Sequence, residues 1–369
     1  MKSPEAVPPV PRIPRLRDLL KREFVVTVEL DPPRGTDLSQ SLEEAASLWG
    51  RAAGINIADC PMANLRMSPI ALACLVRERV GVDTIFHITC RDRSLLGLQS
   101  ELLRAWAMGV ENLLALGGDP PSRGDHPQSS GVFDVDTMGL LKLASGMNGG
   151  VDANGKELRG GTDFLIGAAS NPTAEDLAVE LSKLRAKIEA GAHFSQTQPV
   201  YQLSDAKAFL DETASIGFPV IVGLLPIKSH RMLRYLDENV PGIKIPRKVR
   251  ERLEKTPPEG VRNESVLICR ELMEELRGAA AGVHIMPVGE ASLVQSILAV
   301  PEDVPPGAGD ATPARRLEEA VAAAARGGKI SCRAAFGLAS ELKIGPGDLG
   351  REIERLGVKI VACQLGCFR

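Results

Sequence analysis

The stretch "EFVVTVELDPPRG", residues 23–35, begins as a strand and stops on an acid. Phe24 to Val28 are apolar or β-branched, the composition of a short strand buried on both faces. The run then meets Glu29 and, after Leu30, Asp31 and two prolines that end regular structure. Seven further runs share this character: "GINIAD" (54–59), "DTIFHITC" (83–90), "ENLLALGG" (111–118), "DFLIGAAS" (163–170), "AHFSQTQPV" (192–200), "PVIVGLLP" (219–226) and "GVHIMPVG" (282–289). Between them, apolar residues recur at helical spacings of three and four. Many of these segments open on Ser, Thr or Asp and close on Gly, as helix caps do. Eight strands alternating with helices predict a (β/α)8 TIM barrel, with an open doubly wound sheet as the competitor. The polar residues favour the barrel. Glu29, Asp59, the pair His87 and Thr89, Asp119, Asn171 and Gln198 all stand at strand C-terminal ends. A barrel brings such ends to one mouth, whereas an open sheet spreads them along a crevice.

The chain has 369 residues, 44% hydrophobic and 25% charged, as expected of a soluble globular protein. A net charge of -3 provides no general attraction to nucleic acid or anionic lipid. Residues 1–22 read as a proline-rich leader without the apolar core of a secretory signal, and no later run reaches the roughly 18 apolar residues of a membrane span. A cytoplasmic location is therefore expected. The barrel is assigned to 23–300, a Pro/Gly-rich linker to 301–313, and a small C-terminal helix-turn-helix or winged-helix-like domain to 314–369, with "VKIVAC" as its strand. Seven cysteines without an export signal read mainly as packed, reduced thiols. No metal site is expected in the barrel; Cys332, Cys363 and Cys367 in the tail form a weak candidate set.

Several residues have chemical potential. Glu29, between Val28 and Leu30, is expected to be partly desolvated, which raises a carboxyl pKa and lets it donate a proton at neutral pH. The alternative is a strand-end acid paired with Arg34. In "LLALGGDPPSRGD" (113–125), Gly117 and Gly118 permit close approach of a flat ligand and Asp119 faces it; a simple turn is the other reading. His87 and Thr89 share one face of the third strand, with Cys90 on the other. Glu180 and Lys187, seven apart, share a helix face, which a solvated charge pattern also explains. Gln196 and Gln198 share one face of the sixth strand, where at least one needs a partner. The segment "NGKELRGGTD" (154–163) is expected as a loop over the mouth.

In this order "VELDPPRG", "HITC", "LALGGDPP", "KIEAGAHFSQTQPV" and "VGLLPI" resemble the methylenetetrahydrofolate reductase family, over roughly residues 24 to 290. The match is closer to the reductase half of the bifunctional homocysteine S-methyltransferase/methylenetetrahydrofolate reductases. The resemblance implies an FAD-dependent TIM barrel of one-carbon metabolism and methionine biosynthesis. It would carry a hydride from NADH or NADPH to 5,10-methylenetetrahydrofolate, giving 5-methyltetrahydrofolate. It assigns Glu29 as the acid that protonates N10, Asp119 as the aspartate that contacts folate and tunes the flavin, and Gln198 as the pterin-binding glutamine. His87, Glu180 and Lys187 fall on flavin-contacting positions, and Thr89, Gly118 and Asn171 are grouped with them. His230 stands where many members stack an aromatic ring over the substrate. Gly117, Ala58 and "GAASNPT" depart from the family's flavin-holding residues. With His230, these departures lead to the expectation of an electron-donor subunit docking through the C-terminal domain, besides the folate substrate and a homo-oligomer. Two alternatives remain: a folate- or flavin-responsive regulator with a DNA-binding tail, and a pterin-dependent methyltransferase barrel.

Overall fold

The computed structural model describes residues 14–240 and 242–299, and in the tail 320–322, 324–325, 328–331, 334–335, 338–339 and 346–361. Eight parallel strands close in sequence order: β1 (Val25–Leu30), β2 (Gly54–Ile57), β3 (Thr84–Thr89), β4 (Asn112–Leu116), β5 (Leu165–Ser170), β6 (Phe194–Pro199), β7 (Val220–Leu224) and β8 (Gly282–Ile285). Closure is made by β8 on β1, with Val25 opposite Gly282 and Val28 opposite Ile285. The expected TIM barrel is present, and no helix among the described residues is long and apolar enough to cross a membrane.

The crossover helices are α2 (Ser39–Ser47), α3 (Pro69–Arg79), α4 (Leu95–Ala107), α5 (Thr137–Asn148), α6 (Leu177–Glu189) and α7 (Leu203–Ser215), preceded by the single turn α1 (Leu16–Leu19). Local chemistry starts several of them. Ser94, Asp136 and Asp176 each accept a hydrogen bond from the backbone N–H three residues on, at 3.2, 2.8 and 3.0 Å. Between β7 and β8 lie α8 (His230–Asn239), α9 (Arg247–Lys255) and α10 (Val261–Leu276), and α11 (Ala291–Leu298) follows β8. The sequence signal for α9 is faint, because only Val249 and Leu253 are buried within "RKVRERLEK". Those two close a satellite core with Leu233, Leu236 and Ile268.

Two corrections follow from the topology. The leader does not end outside the barrel: Leu16 is fully buried in the floor with Val25, Ile85, Leu165, Phe194 and Ile221, and its N–H donates to Asp83 Oδ2 at 3.0 Å. Segment 154–163 is not over the mouth. It joins α5 to β5 and therefore lies at the strand N-terminal end, where Asp163 receives Arg17 from α1 at 2.8 Å. The mouth loop on that side is instead 117–136, between β4 and α5.

Among the described residues of the tail, the strand pairing is not that of a wing. Strand β10 (Lys359–Val361), within the expected "VKIVAC", pairs in parallel with β9 (Lys329–Ser331), and α12 (Pro346–Arg355) lies between them in sequence. A parallel pair needs a crossover, whereas a wing is an antiparallel hairpin. Helix α12 packs on α2, and Leu349 and Ile353 join the apolar cluster of the barrel. Residues 1–13 and the linker 301–313 lie outside the described residues, as do Cys332, Cys363 and Cys367. Cys90 and Cys269 are packed thiols, pushed up by burial to about 11 and about 12.

Candidate active site

Alternate residues of a barrel strand face the lumen, so each strand contributes a ladder from floor to mouth. On β1 the ladder is Val25, Thr27, Glu29; on β3 it is Ile85, His87, Thr89; on β6 it is Phe194, Gln196, Gln198. The bottom rung is apolar. Gly167 on β5 leaves room for it, since a Cβ there would stand 2.5 Å from the Phe194 ring.

The middle rung is a polar network. Asn56 and Gln196 form a reciprocal amide pair, Nδ2 to Oε1 at 2.6 Å and Nε2 to Oδ1 at 3.1 Å. Because β2 and β6 are not neighbours in the barrel, these bonds cross the lumen. Asn56 Nδ2 also lies 2.9 Å from His87 Nε2, which therefore accepts. Gln196 Nε2 donates to Thr27 Oγ1 at 3.2 Å, and that hydroxyl lies 3.0 Å from His284 Nδ1. His284 Nε2 in turn stands 3.6 Å from Glu29 Oε2. A chain of side chains thus runs from His87 under the mouth to Glu29 at its edge. The sequence reading noted that at least one of Gln196 and Gln198 needs a partner, but missed Asn56 and His284. An Asn inside "GINI" was the available signal, since a buried strand amide requires a partner.

Above this network a cavity of about 490 Å³ opens at the strand C-terminal ends. Glu29, His87, Thr89, Gly118, Asp119, Gln196 and Gln198 reach it, with Leu114, Leu116, Ala58 and Ala169 as apolar wall. Gly118 has φ +89°, and a Cβ there would lie 3.0 Å from Thr89 and Arg91 side chains. Glycine is required at that corner. Asp59 is buried beneath the rim and fully engaged: Oδ2 accepts from Thr89 N and Oγ1 at 2.9 Å each and from Arg93 Nη1 at 2.7 Å. Asp119 is half exposed with Arg123 at 3.7 Å, and the Gln198 side-chain amide has no hydrogen-bond partner among the described residues.

Electrostatics corrects one expectation. Desolvation pushes the Glu29 carboxyl up, as expected from sequence, but the polar contact and charge of His284 outweigh it and hold Glu29 below its ordinary value. Arg34 is not its partner, because that guanidinium pairs with Asp125. Burial lowers His87 to about 4, so its imidazole is neutral.

Comparison with known proteins gives the family. The description "Methylenetetrahydrofolate reductase" matches residues 15–301. The chain belongs to the methylenetetrahydrofolate reductase family. A Caenorhabditis elegans relative, "Probable methylenetetrahydrofolate reductase (NADPH)", is 26% identical over 241 residues, covering 63% of this chain and 34% of that protein. A Pectobacterium carotovorum 5,10-methylenetetrahydrofolate reductase is 25% identical over 225 residues, covering 58% of this chain and 68% of its own. The chain thus spans about a third of the length of the C. elegans relative. Among solved structures, a Clostridium thermocellum protein described as binding two copies of 5-methyl-5,6,7,8-tetrahydrofolic acid superposes with a TM-score of 0.51 at 18% identity, covering 76% of this chain and 95% of that one; this likeness shows the fold.

Within the family, the flavin positions assigned by resemblance separate into two groups. His87, Thr89, Gly118 and Asp119 line the cavity. Asn171, Glu180 and Lys187 do not: Glu180 Oε1 accepts from Asn171 N at 2.8 Å, and Lys187 Nζ donates to Ala169 O at 2.6 Å. Both helix side chains fasten the end of β5. The cavity's arginine, Arg91, is taken up by Asp92 at 2.7 Å. The described residues that line the cavity therefore fit a flat ring against Leu114, Leu116 and the backbone of Gly117 and Gly118, but among them no cation stands ready for a dinucleotide's pyrophosphate. His230 also stands apart from the cavity, with Nε2 3.0 Å from Leu253 O on α9.

Proposed function

We propose that the barrel reduces 5,10-methylenetetrahydrofolate to 5-methyltetrahydrofolate. The observation that carries this reading is the shared cavity of Glu29 on β1, Asp119 in the loop after β4 and Gln198 on β6, three residues that the family pattern assigns to the folate. Opening the methylene bridge needs a proton at N10 and leaves an iminium whose carbon accepts a hydride. Glu29, at the cavity edge, supplies the proton. Seating the pterin strips water from the carboxylate, and this added desolvation raises its proton affinity when a proton is needed. Gln198, with its amide unengaged, offers a donor and an acceptor to the pterin edge. Asp119 accepts from its N–H groups.

A reduced ring carrier held against the apolar wall at Gly117 and Gly118 would supply the hydride. FAD is the carrier that the resemblance implies, with NADH or NADPH, or an electron-donor subunit, as the source behind it. The residues lining the cavity fit a ring but not the FAD arm.

The test is an anaerobic assay of the purified protein with methylenetetrahydrofolate and either dihydronicotinamide, with and without added FAD, followed by chromatography of the folates. Formation of 5-methyltetrahydrofolate is expected in wild type and not in Glu29→Gln. A wild type that binds folate but forms no methyl product with any donor sinks the proposal.

A further inference from the structure

Glu29 lines two cavities. Besides the mouth, a second cavity of about 480 Å³ lies between the segments that follow β1 and β8, and Glu29 is the residue common to both walls. Its other charged walls are Asp31, Asp37, Glu44 and Glu290, with Arg34 and Arg66. We propose that this second cavity is the proton entrance of the site, and that Asp31 is the carrier that reprotonates Glu29 in each turnover. The inference rests on the reading of Glu29 as the acid.

Three observations support it. First, a folate seated in the mouth covers Glu29 from that side, so a proton spent on N10 has to be replaced from elsewhere, and the second cavity reaches the same carboxylate. Second, Asp31 continues the alternating row Thr27, Glu29 beyond the strand, and Pro32 and Pro33, which limit backbone freedom, hold that exit in place. Third, Asp31 has no ion pair or side-chain hydrogen bond among the described residues and is only partly exposed. Its charged surroundings are mixed: Glu29 and Glu44 face it as negative groups, Arg66 and Lys228 as positive ones. The remaining wall groups are otherwise engaged, Arg34 with Asp125 and Glu290 with Arg262 and Lys228, while Asp37 caps Ser39 N.

The titration directions agree with this geometry. Burial, then the charge of Glu29, push Asp31 up from the ordinary carboxylate range, whereas Glu29 is held down by His284. Of the two carboxyl groups, Asp31 therefore keeps a proton more readily in the resting protein. Folate binding desolvates Glu29 and reverses the preference. The step is a proton transfer: the Asp31 carboxylic acid and the Glu29 carboxylate become the Asp31 carboxylate and the Glu29 carboxylic acid. Glu29 then protonates N10, and water in the second cavity restores the proton on Asp31.

The variant Asp31→Asn keeps the shape and removes the carrier. In the folate assay between about pH 6 and 9, kcat is expected to fall about tenfold or more with KM within about twofold, and added formate to restore part of it. Glu29→Gln should not respond to formate. Wild-type kcat and pH profile in Asp31→Asn, or a loss that formate leaves untouched, would overturn the relay. A second readout does not depend on turnover: infrared difference spectra across the range in which carboxyl groups titrate should show, in wild type, a carboxylic acid C=O band that persists to higher pH than the ordinary carboxyls and is missing from Asp31→Asn. An identical band in both proteins overturns the assignment of the proton to Asp31. If wild type forms no methyl product while this band behaves as expected, the folate reading fails and the position of the proton stands.

Discussion

At the residue scale, the middle rung shows how a few buried groups set the chemistry above them. Neutral His87 sits under the cavity because burial opposes its charge. The sign of the resulting pH dependence follows from linkage. With a folded value of about 4 against an ordinary 6.5, the unfolded chain binds the extra proton first as pH falls. The contribution is complete above about pH 6.5 and is lost on descending to about pH 4, at a cost of about 3 kcal/mol. Urea midpoints measured between pH 7 and about 4.5 should therefore decline, and His87→Gln should flatten the decline. A second expectation concerns Glu29. Its replacement by Gln is expected to lower folate reduction about 10²- to 10⁴-fold with the thermal midpoint little changed, as measured by product formation and by circular dichroism. The acid was legible in "VELDPPRG"; its lowered pKa was not, because His284 lies 255 positions away on β8 and meets it only when the barrel closes.

At the element scale, corners and ends do the positioning. The end of β2 is held by one carboxylate, Asp59, on which the backbone of β3 and Arg93 converge. Asp59→Asn leaves the Arg93 cation, mostly buried, without its partner, and a loss of about 3 kcal/mol is expected in denaturant titration. Gly118→Ala should cost about 1–2 kcal/mol for the left-handed φ alone, and more if Thr89 and Arg91 do not yield. Binding of a flat ring should weaken in the same variant, measured by fluorescence titration with FAD. Helices with apolar stripes and capped ends were legible in the sequence. Helix α9 was not, since a helix with only two buried residues leaves almost no periodic signal. The side chains of Glu180 and Lys187 share a face, as their spacing indicates, but that face turns to the β5 carbonyl and amide rather than to the cavity.

At the scale of the whole molecule, both ends of the described chain are sewn to the barrel. The α1 turn plugs the floor, and α12 lies on α2 within the same apolar cluster. Ile353, almost fully buried, reports on this: Ile353→Ala should lower stability by about 2–4 kcal/mol and shift the barrel's single thermal transition, whereas an independent tail would melt separately. Strand composition, helix capping and the placing of polar residues after strands were enough to determine the barrel, its mouth and the family resemblance, because these are local patterns repeated eight times. The tertiary structure alone decided which polar residues meet. Hydrogen bonds across the lumen join β1, β2, β3, β6 and β8, and no spacing along the chain encodes a contact between strands that are not neighbours. It also decided that Asn171, Glu180, Lys187 and His230 stand apart from the cavity, and that Glu29 faces two cavities, since a side chain's direction depends on what packs around it.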